Sequence, residues 1–499
     1  MVKFSALQAV ATLAVAGTAM AADVHGMSRT NQRVHARQSS GSIMASDYQN
    51  GDPAPGARSG DAAGQTVVID SDGGHDDNSQ RAGCPTIFIG SAAVGGSFSS
   101  GWSDMPQVLG FDTMRDLTLA NNVVQPYIIE RGKTASQIKR VVITQPGLPR
   151  DYWKYANLVR NSLLCASVNS TLGINRDEIL IAAPTWFSTN DASAGSAQSN
   201  DLVFNGGGWA TGVDSAGPNG AAISSFEALD ALVSKFFDKS TYPNLQQVVI
   251  AGHSLGGSFT QHYAMLRKQN QAQDGMMSYF VGNPGAYVWP TSQRPVQNPG
   301  GNCASTADEW GYGLQDLPSY GQGQGSASSI ASRYYGRTVT YGLGLQDNEG
   351  GDSHCEAAYQ GTSHLTRGQN FQRALEAANG GNVPASHTFN YVAGVAHEDY
   401  LIFSDPVSQY HLFAAGTNFA ASASATSSAA ASSATSKRGS SSSAQSGASG
   451  SAAAPSASGS SAGSSSGTSS GAGGLAFASP AAVVSAMLAS SAAFLALAL

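Results

Sequence analysis

Charge of either sign is scarce in this 499-residue chain: 26 Lys and Arg stand against 33 Asp and Glu, for a net charge of −7. The charges are dispersed, and no basic stripe marks a nucleic-acid footprint, so nucleic acid is not an expected partner. Cysteine is rarer still. Its four copies, Cys84, Cys165, Cys303 and Cys355, include no C-x-x-C pair, which argues against a zinc site. No G-x-G-x-x-G turn opens a dinucleotide fold, so no cofactor is expected, and no internal repeat organises the chain. The acidic stretch DSDGGHDD (70–77) reads as a solvated loop, because no supporting ligands accompany it elsewhere; no metal is expected.

What is present at the two ends looks like targeting. Met1-Val-Lys, an apolar run from Leu7 to Val15 and Ala19-Met20-Ala21 form a secretory signal peptide over 1–21, the alternative being a buried N-terminal helix. Residues 22–81 are polar and lack sustained periodicity, as a flexible leader does. From 416 to 474 the chain becomes a Ser/Ala/Gly-rich stalk, the composition of an O-glycosylated spacer. A hydrophobic segment over 475–499 follows, with no basic residue behind it. Small residues at Ser470, Gly471 and Ala472, a spacer and an apolar tail match a GPI-attachment signal, with an uncleaved tail anchor as the alternative. The expected location is extracellular, on the cell surface, with a GPI lipid as the link to membrane or wall. Four cysteines in a secreted chain predict two disulfides with three possible connectivities; pairing Cys84 with Cys165 and Cys303 with Cys355 keeps each bridge local. Asn169-Ser-Thr is a glycosylation sequon expected on a surface turn.

One domain, 82–415, lies between these tethers. Strand-length apolar runs alternate in it with amphipathic stretches. TIFIG (86–90), VVQPYII (123–129), RVVITQPG (140–147), EILIAAP (178–184), VVIAG (248–252), SYFVGNPG (278–285) and RTVTYGLG (337–344) read as strands. DYWKYANLVRNSLLCA (151–166) reads as a helix. Ser224 and Glu227 have capping-box form, and Phe226, Leu229, Leu232, Val233 and Phe236 then recur at helical spacing. Continuously apolar strands alternating with helices predict an α/β domain, a mostly parallel sheet covered on both faces.

The chemistry concentrates in VVIAGHSLGGSFTQHYA (248–264). A serine hydroxyl is a poor nucleophile until a base takes its proton, so it must stand clear of the backbone. Gly252 and Gly256 remove side chains where strand and helix nearly touch, which lets Ser254 occupy a strained turn. The helix that follows aims its first amides at the site, and Leu255 N–H can donate to an oxyanion.

The motifs ITQPGLPRDYWKY, AGHSLGG, VGNPGAYVW, TYGLGLQDNEGGDSHCEAAYQG and NYVAGVAHEDY resemble the α/β-hydrolase superfamily, and within it secreted fungal-type serine hydrolases. The resemblance implies an acid after a late strand and a histidine last in the chain. Asp347 is the acid expected to hold the imidazole, with Asp352 in the same loop as competitor, and His397 is the expected base. His253 is expected to pack and point elsewhere, and His354, His364, His387 and His411 to be surface or structural residues. Leu148 is the expected second oxyanion donor, beside a Gln145 that stands where many relatives have histidine. Arg150 and Asp151 are read either as an ion pair bracing that loop or as an ordinary exposed pair. Trp186 and Trp209 are expected to border the substrate cleft, with core packing the alternative for Trp186. The reading that follows is a surface-anchored serine hydrolase of small-molecule or lipid esters. A non-catalytic cell-surface binding protein that keeps the fold is the alternative.

Overall fold

The computed structural model describes residues 95–106, 108 and 110–419. The expected signal peptide, leader and acidic stretch, the 86–90 strand, Cys84, and the C-terminal segment with Ser470, Gly471 and Ala472 lie outside the described residues.

Eight strands build one sheet: β1 (Phe111–Met114), β2 (Tyr127–Glu130), β3 (Arg140–Gln145), β4 (Ile179–Pro184), β5 (Gln247–His253), β6 (Met277–Gly282), β7 (Thr338–Gly344) and β8 (His387–Val392). Their spatial order is β8-β7-β6-β5-β3-β4-β2-β1. From β8 to β4 all neighbours are parallel, while β2 runs antiparallel to β4 and β1 antiparallel to β2. Every residue of β3, β4 and β5 is buried, as continuous apolar strands in a doubly covered sheet must be.

Alternate residues divide between two cores. Val141, Ile143, Val248 and Ile250 face one core, packed with α2 (Ser225–Phe236), α3 (Leu255–Leu266), α4 (Ala327–Tyr335) and α5 (His364–Ala378). Val142, Val249 and Ala251 face the other, filled by α1 (Tyr152–Ser167) and by Ile402, Phe403, Leu412 and Phe413. The capping box at Ser224 and Glu227 is formed, and the five apolar residues of α2 read from the spacing are all buried. A mostly parallel sheet with helices on both faces defines the class. This is the α/β-hydrolase fold.

Three strands are shorter than the apolar runs suggest, each for a local reason. β2 begins only after Pro126, which has no N–H for a ladder. β3 stops before Pro146, and β6 stops at Asn283, whose φ of +35° turns the chain. The edge strands β1 and β8 have no counterpart among the apolar runs, because half-exposed edges carry no continuous apolar run. Cys303 and Cys355 are bonded, with Cα atoms 5.9 Å apart, and Cys165 is also in a disulfide. No helix among the described residues is long and apolar enough to cross a membrane. Asn169 is exposed and caps a short turn after α1.

Candidate active site

β5 ends at His253 and α3 starts at Leu255, so Ser254 alone makes the turn, at φ +58° and ψ −126°. For a residue with a side chain such a conformation costs on the order of 1–3 kcal/mol and persists only where the surroundings impose it. Here they do. Ser254 N–H donates to Gly282 O of β6 over 3.0 Å, and Ser254 O accepts from Ser258 N–H over 3.0 Å. A Cβ on Gly252 would strike the carbonyl of Gly256, and one on Gly256 would strike that of Pro146. Gly257, which the sequence reading passed over, is equally required: its Cβ would strike the carbonyl of Gly282.

Asp347 lies just beyond β7 and His397 just beyond β8. His397 Nδ1 is 2.7 Å from Asp347 Oδ2, and the carboxylate is fully buried. Burial alone would raise the Asp347 pKa, but the hydrogen bonds and charges of His364 and His397 outweigh it, and the carboxyl sits below its ordinary value. An ionised carboxylate can only accept, so Nδ1 of His397 carries the proton and Nε2 of the neutral ring is left as an acceptor.

Asp352 is occupied elsewhere, with His354 Nδ1 at 2.6 Å and the Tyr312 hydroxyl at 2.8 Å, and it makes no contact with His397. His387 is structural, held between Tyr334 O and the Tyr341 hydroxyl. Two other histidines depart from expectation. His364 is buried in the site, its Nδ1 3.0 Å from Asp347 Oδ1 and 3.1 Å from Glu349 O, with its ring centroid 4.1 Å from that of His397. It begins α5, and the α5 capping box on Ser363 turns it inward where the sequence gave no periodic signal. His253 does pack, but against His397 itself, at 4.6 Å between ring centroids.

Ser254, His397 and Leu148 line one cleft together with Lys154, Tyr155 and Asp399. Lys154 and Asp399 form a buried ion pair of 3.1 Å in its wall, which the sequence reading did not single out. A roomier cavity of about 210 Å³ lies at the opposite ends of β5, β6 and β7. His411 lines it, but it has no base paired with an acid, so size does not select the site here.

The loop after β3 is braced differently from expectation. Arg150 does not pair with Asp151; its guanidinium grips Asp191 at 2.6 and 2.9 Å, while Asp151 accepts from Gly147 N–H. Arg150 sits at φ +63°, in the left-handed region. Trp102 Nε1–H closes the brace by donating to Pro149 O over 2.7 Å. Trp209 is core rather than cleft, because Trp186 and Trp209 stack at 6.2 Å against Phe259 of α3. Trp186 Nε1–H donates to Gln145 Oε1.

Asn283 links all three late loops. Its Oδ1 accepts from Gly344 N–H at 2.8 Å and its Nδ2 donates to Ala396 O at 3.0 Å. An Asn-Pro after an apolar strand looks like a turn signal alone, which hid that role.

Among the described residues, two groups of side chains bring metal-type donor atoms close together. Those of Asp347, His364 and His397 lie within 4.8 Å of one another, with His397 Nδ1 and Asp347 Oδ2 hydrogen-bonded to each other. In the other, Cys303 and Cys355 with Glu356, the sulfurs are bonded to each other and are not thiolate ligands.

The sequence matches no protein-family model and no curated protein. Similar solved structures include poly(aspartic acid) hydrolase-1 from Sphingomonas sp. KT-1, 19% identical, covering 60% of this chain and 97% of that one, TM-score 0.42. A poly(3-hydroxybutyrate) depolymerase from Bordetella parapertussis is 19% identical over 60% of this chain and 92% of that one, TM-score 0.39. An S-formylglutathione hydrolase from Agrobacterium tumefaciens is 15% identical over 64% of this chain and 98% of that one, TM-score 0.37.

Proposed function

We propose that the domain is a serine hydrolase of carboxylic esters, exported and held at the cell surface. The observation that carries the reading is the convergence on one cleft of Ser254, on its strained turn, and His397, backed by buried Asp347 at 2.7 Å. The bonded cysteine pair and the exposed sequon at Asn169 support an oxidising, secretory environment, and the apolar and Ser-rich ends support surface attachment through a GPI lipid.

In this reading Ser254 Oγ attacks the ester carbonyl carbon as His397 Nε2 takes the hydroxyl proton. Asp347 fixes the ring and stabilises the imidazolium that forms. The carbonyl oxygen gains the electron pair and turns toward Leu255 N–H, the first amide of α3, which has no intrahelical partner. Leu148 N–H, on the loop braced through Arg150 and Asp191, is the second donor. The C–O bond to the leaving alcohol then breaks, His397 returns its proton to that oxygen, and an acyl-Ser254 remains. Water repeats the sequence, His397 taking its proton, and the acid departs.

Assay of the purified domain against p-nitrophenyl esters of increasing acyl length tests the proposal. Hydrolysis that disappears in Ser254→Ala supports it and reads the acyl preference. A folded domain that hydrolyses none of the series contradicts it.

A further inference from the structure

Arg150 holds a backbone conformation, φ +63°, that glycine adopts freely and a residue with a side chain adopts at a cost. Its side chain must therefore be held in place by its surroundings. The guanidinium is buried, grips both carboxylate oxygens of Asp191 at 2.6 and 2.9 Å, and donates to Phe98 O at 2.8 Å. Two residues earlier in the same turn stands Leu148, whose N–H serves above as the second oxyanion donor. Resting on the hydrolase reading above, we propose that Arg150 is a positioning residue for that reaction. Clamped to Asp191, it sets the peptide plane that presents Leu148 N–H to the oxyanion.

The link is the planarity of the peptide. Gly147 C=O and Leu148 N–H belong to one trans peptide unit and point in opposite directions. Arg150 N–H donates to Gly147 O over 3.1 Å, which closes the turn and fixes that carbonyl. Leu148 N–H is thereby directed out of the turn, and among the described residues no group accepts from it. Gly147 and Leu148 both line the Ser254 cleft. Asp191 is itself fixed: it belongs to the capping box of the short helix Thr189–Ala194, and Ser188 N–H and Oγ donate to its Oδ2 at 2.7 and 2.9 Å. An antiparallel ribbon outside the main sheet, Gly96–Ser97 with Gly101–Trp102, completes the clamp. Trp102 N–H donates to Asp191 Oδ1 over 2.9 Å, and its Nε1–H donates over 2.7 Å to the carbonyl of Pro149, the residue after Leu148. A Cβ on Gly101 would strike the carbonyl of Asn190, so the ribbon sits tightly against this helix. The hydrogen bonds of the clamp go to Asp191, Phe98 and Pro149 and not to Asp347 or His397. Loosening it leaves the acid and the base in place and frees only the oxyanion loop.

The test pairs p-nitrophenyl acetate hydrolysis across pH with inhibition by phenyl trifluoromethyl ketone, which takes the serine oxygen at its carbonyl carbon and forms a tetrahedral oxyanion. Wild type is compared with Arg150→Gly, Arg150→Lys and Trp102→Phe. Arg150→Gly tolerates the backbone conformation but lacks the guanidinium. It is expected to lower kcat about 10- to 100-fold, part of the roughly 10²–10³-fold that loss of a whole oxyanion donor costs, with KM within about twofold. Affinity for the ketone should fall by the same factor as kcat/KM, while the acidic limb of kcat/KM stays at its wild-type pH. Arg150→Lys restores a charge without the two-pronged fork and should recover part of the loss. Trp102→Phe removes only the indole N–H and should lower kcat about threefold or more, with ketone affinity falling to match; it carries the test if Arg150→Gly does not fold. Wild-type kcat in folded Arg150→Gly, or in Trp102→Phe where that variant stands in for it, overturns the inference. So does a loss of kcat with unchanged ketone affinity or with a shifted acidic limb. A wild-type domain that hydrolyses no ester instead defeats the reading of the site, and this inference with it.

Discussion

Asp347 and Asp352 belong to the same loop after β7, and each holds an imidazole nitrogen at hydrogen-bond distance, His397 at 2.7 Å and His354 at 2.6 Å. By distance the pairs are equivalent. Their surroundings are not: the Asp347 side chain is 0% exposed, whereas that of His354 is 74% exposed. An exposed pair is screened by water and is worth little, about 0–1 kcal/mol. A buried carboxylate keeps its full pull on the ring it holds. The second difference is company, because the ring held by Asp347 opens on the Ser254 cleft, and the ring held by Asp352 lies against Tyr312 and solvent. A carboxylate–imidazole contact therefore gains catalytic meaning from burial and from what the far nitrogen faces.

The comparison can be broken most severely at the serine. Ser254→Ala should lower ester hydrolysis on the order of 10⁶-fold, about 8 kcal/mol of barrier, with thermal unfolding little changed. Retention of most activity would mean that neither Asp–His pair serves this serine. Next come the aspartates. Asp347→Asn should cost on the order of 10⁴-fold in kcat at neutral pH, since the amide can donate to the imidazole and favour the wrong tautomer. Asp352→Asn should stay within about threefold, as befits an exposed pair. Reversal of that order would make the exposed pair the functional one.

A smaller effect is expected at Asn283, which ties Gly344 of the acid side to Ala396 of the histidine side. Asn283→Ala should reduce kcat by about tenfold, because the two loops lose their common anchor. It should also destabilise by roughly 1–3 kcal/mol through the unpaired backbone groups left behind. Chemical denaturation alongside kinetics separates the two.

How much of this could be read beforehand follows physical lines. The apolar strands β3 to β7 and the period of α2 were legible because burial on both faces, or on one helix stripe, writes itself into the sequence. Gly-x-Ser-x-Gly was legible for the same reason, since backbone crowding tolerates only glycine at Gly252 and Gly256. Partners set by long-range geometry were not. Arg150 finds Asp191 rather than its neighbour, Trp209 joins the core through Phe259, and His364 reaches Asp347 only once α5 has docked. None of these contacts leaves a periodic trace. The order of residues along the chain pointed to Asp347 and His397, but their contact comes from the parallel pairing of β7 with β8.

The smallest predicted effect concerns acid. The folded-state pKa of His364 lies below its ordinary 6.5, so the unfolded chain binds more protons and stability falls as pH drops below about 6.5. His364→Gln should lessen that loss in a melting series from pH 7 to pH 4. A wild-type slope in that variant would remove the buried ring as the source of the acid sensitivity.

The central claim, that the buried Asp347–His397 pair activates Ser254, is tested most directly by reacting the folded domain with a fluorophosphonate and mapping the modified peptide. The account predicts one stoichiometric phosphonyl group on Ser254, formed orders of magnitude more slowly in Asp347→Asn and at the wild-type rate in Asp352→Asn. A folded protein that stays unlabelled, or that carries the group on another serine, would contradict it.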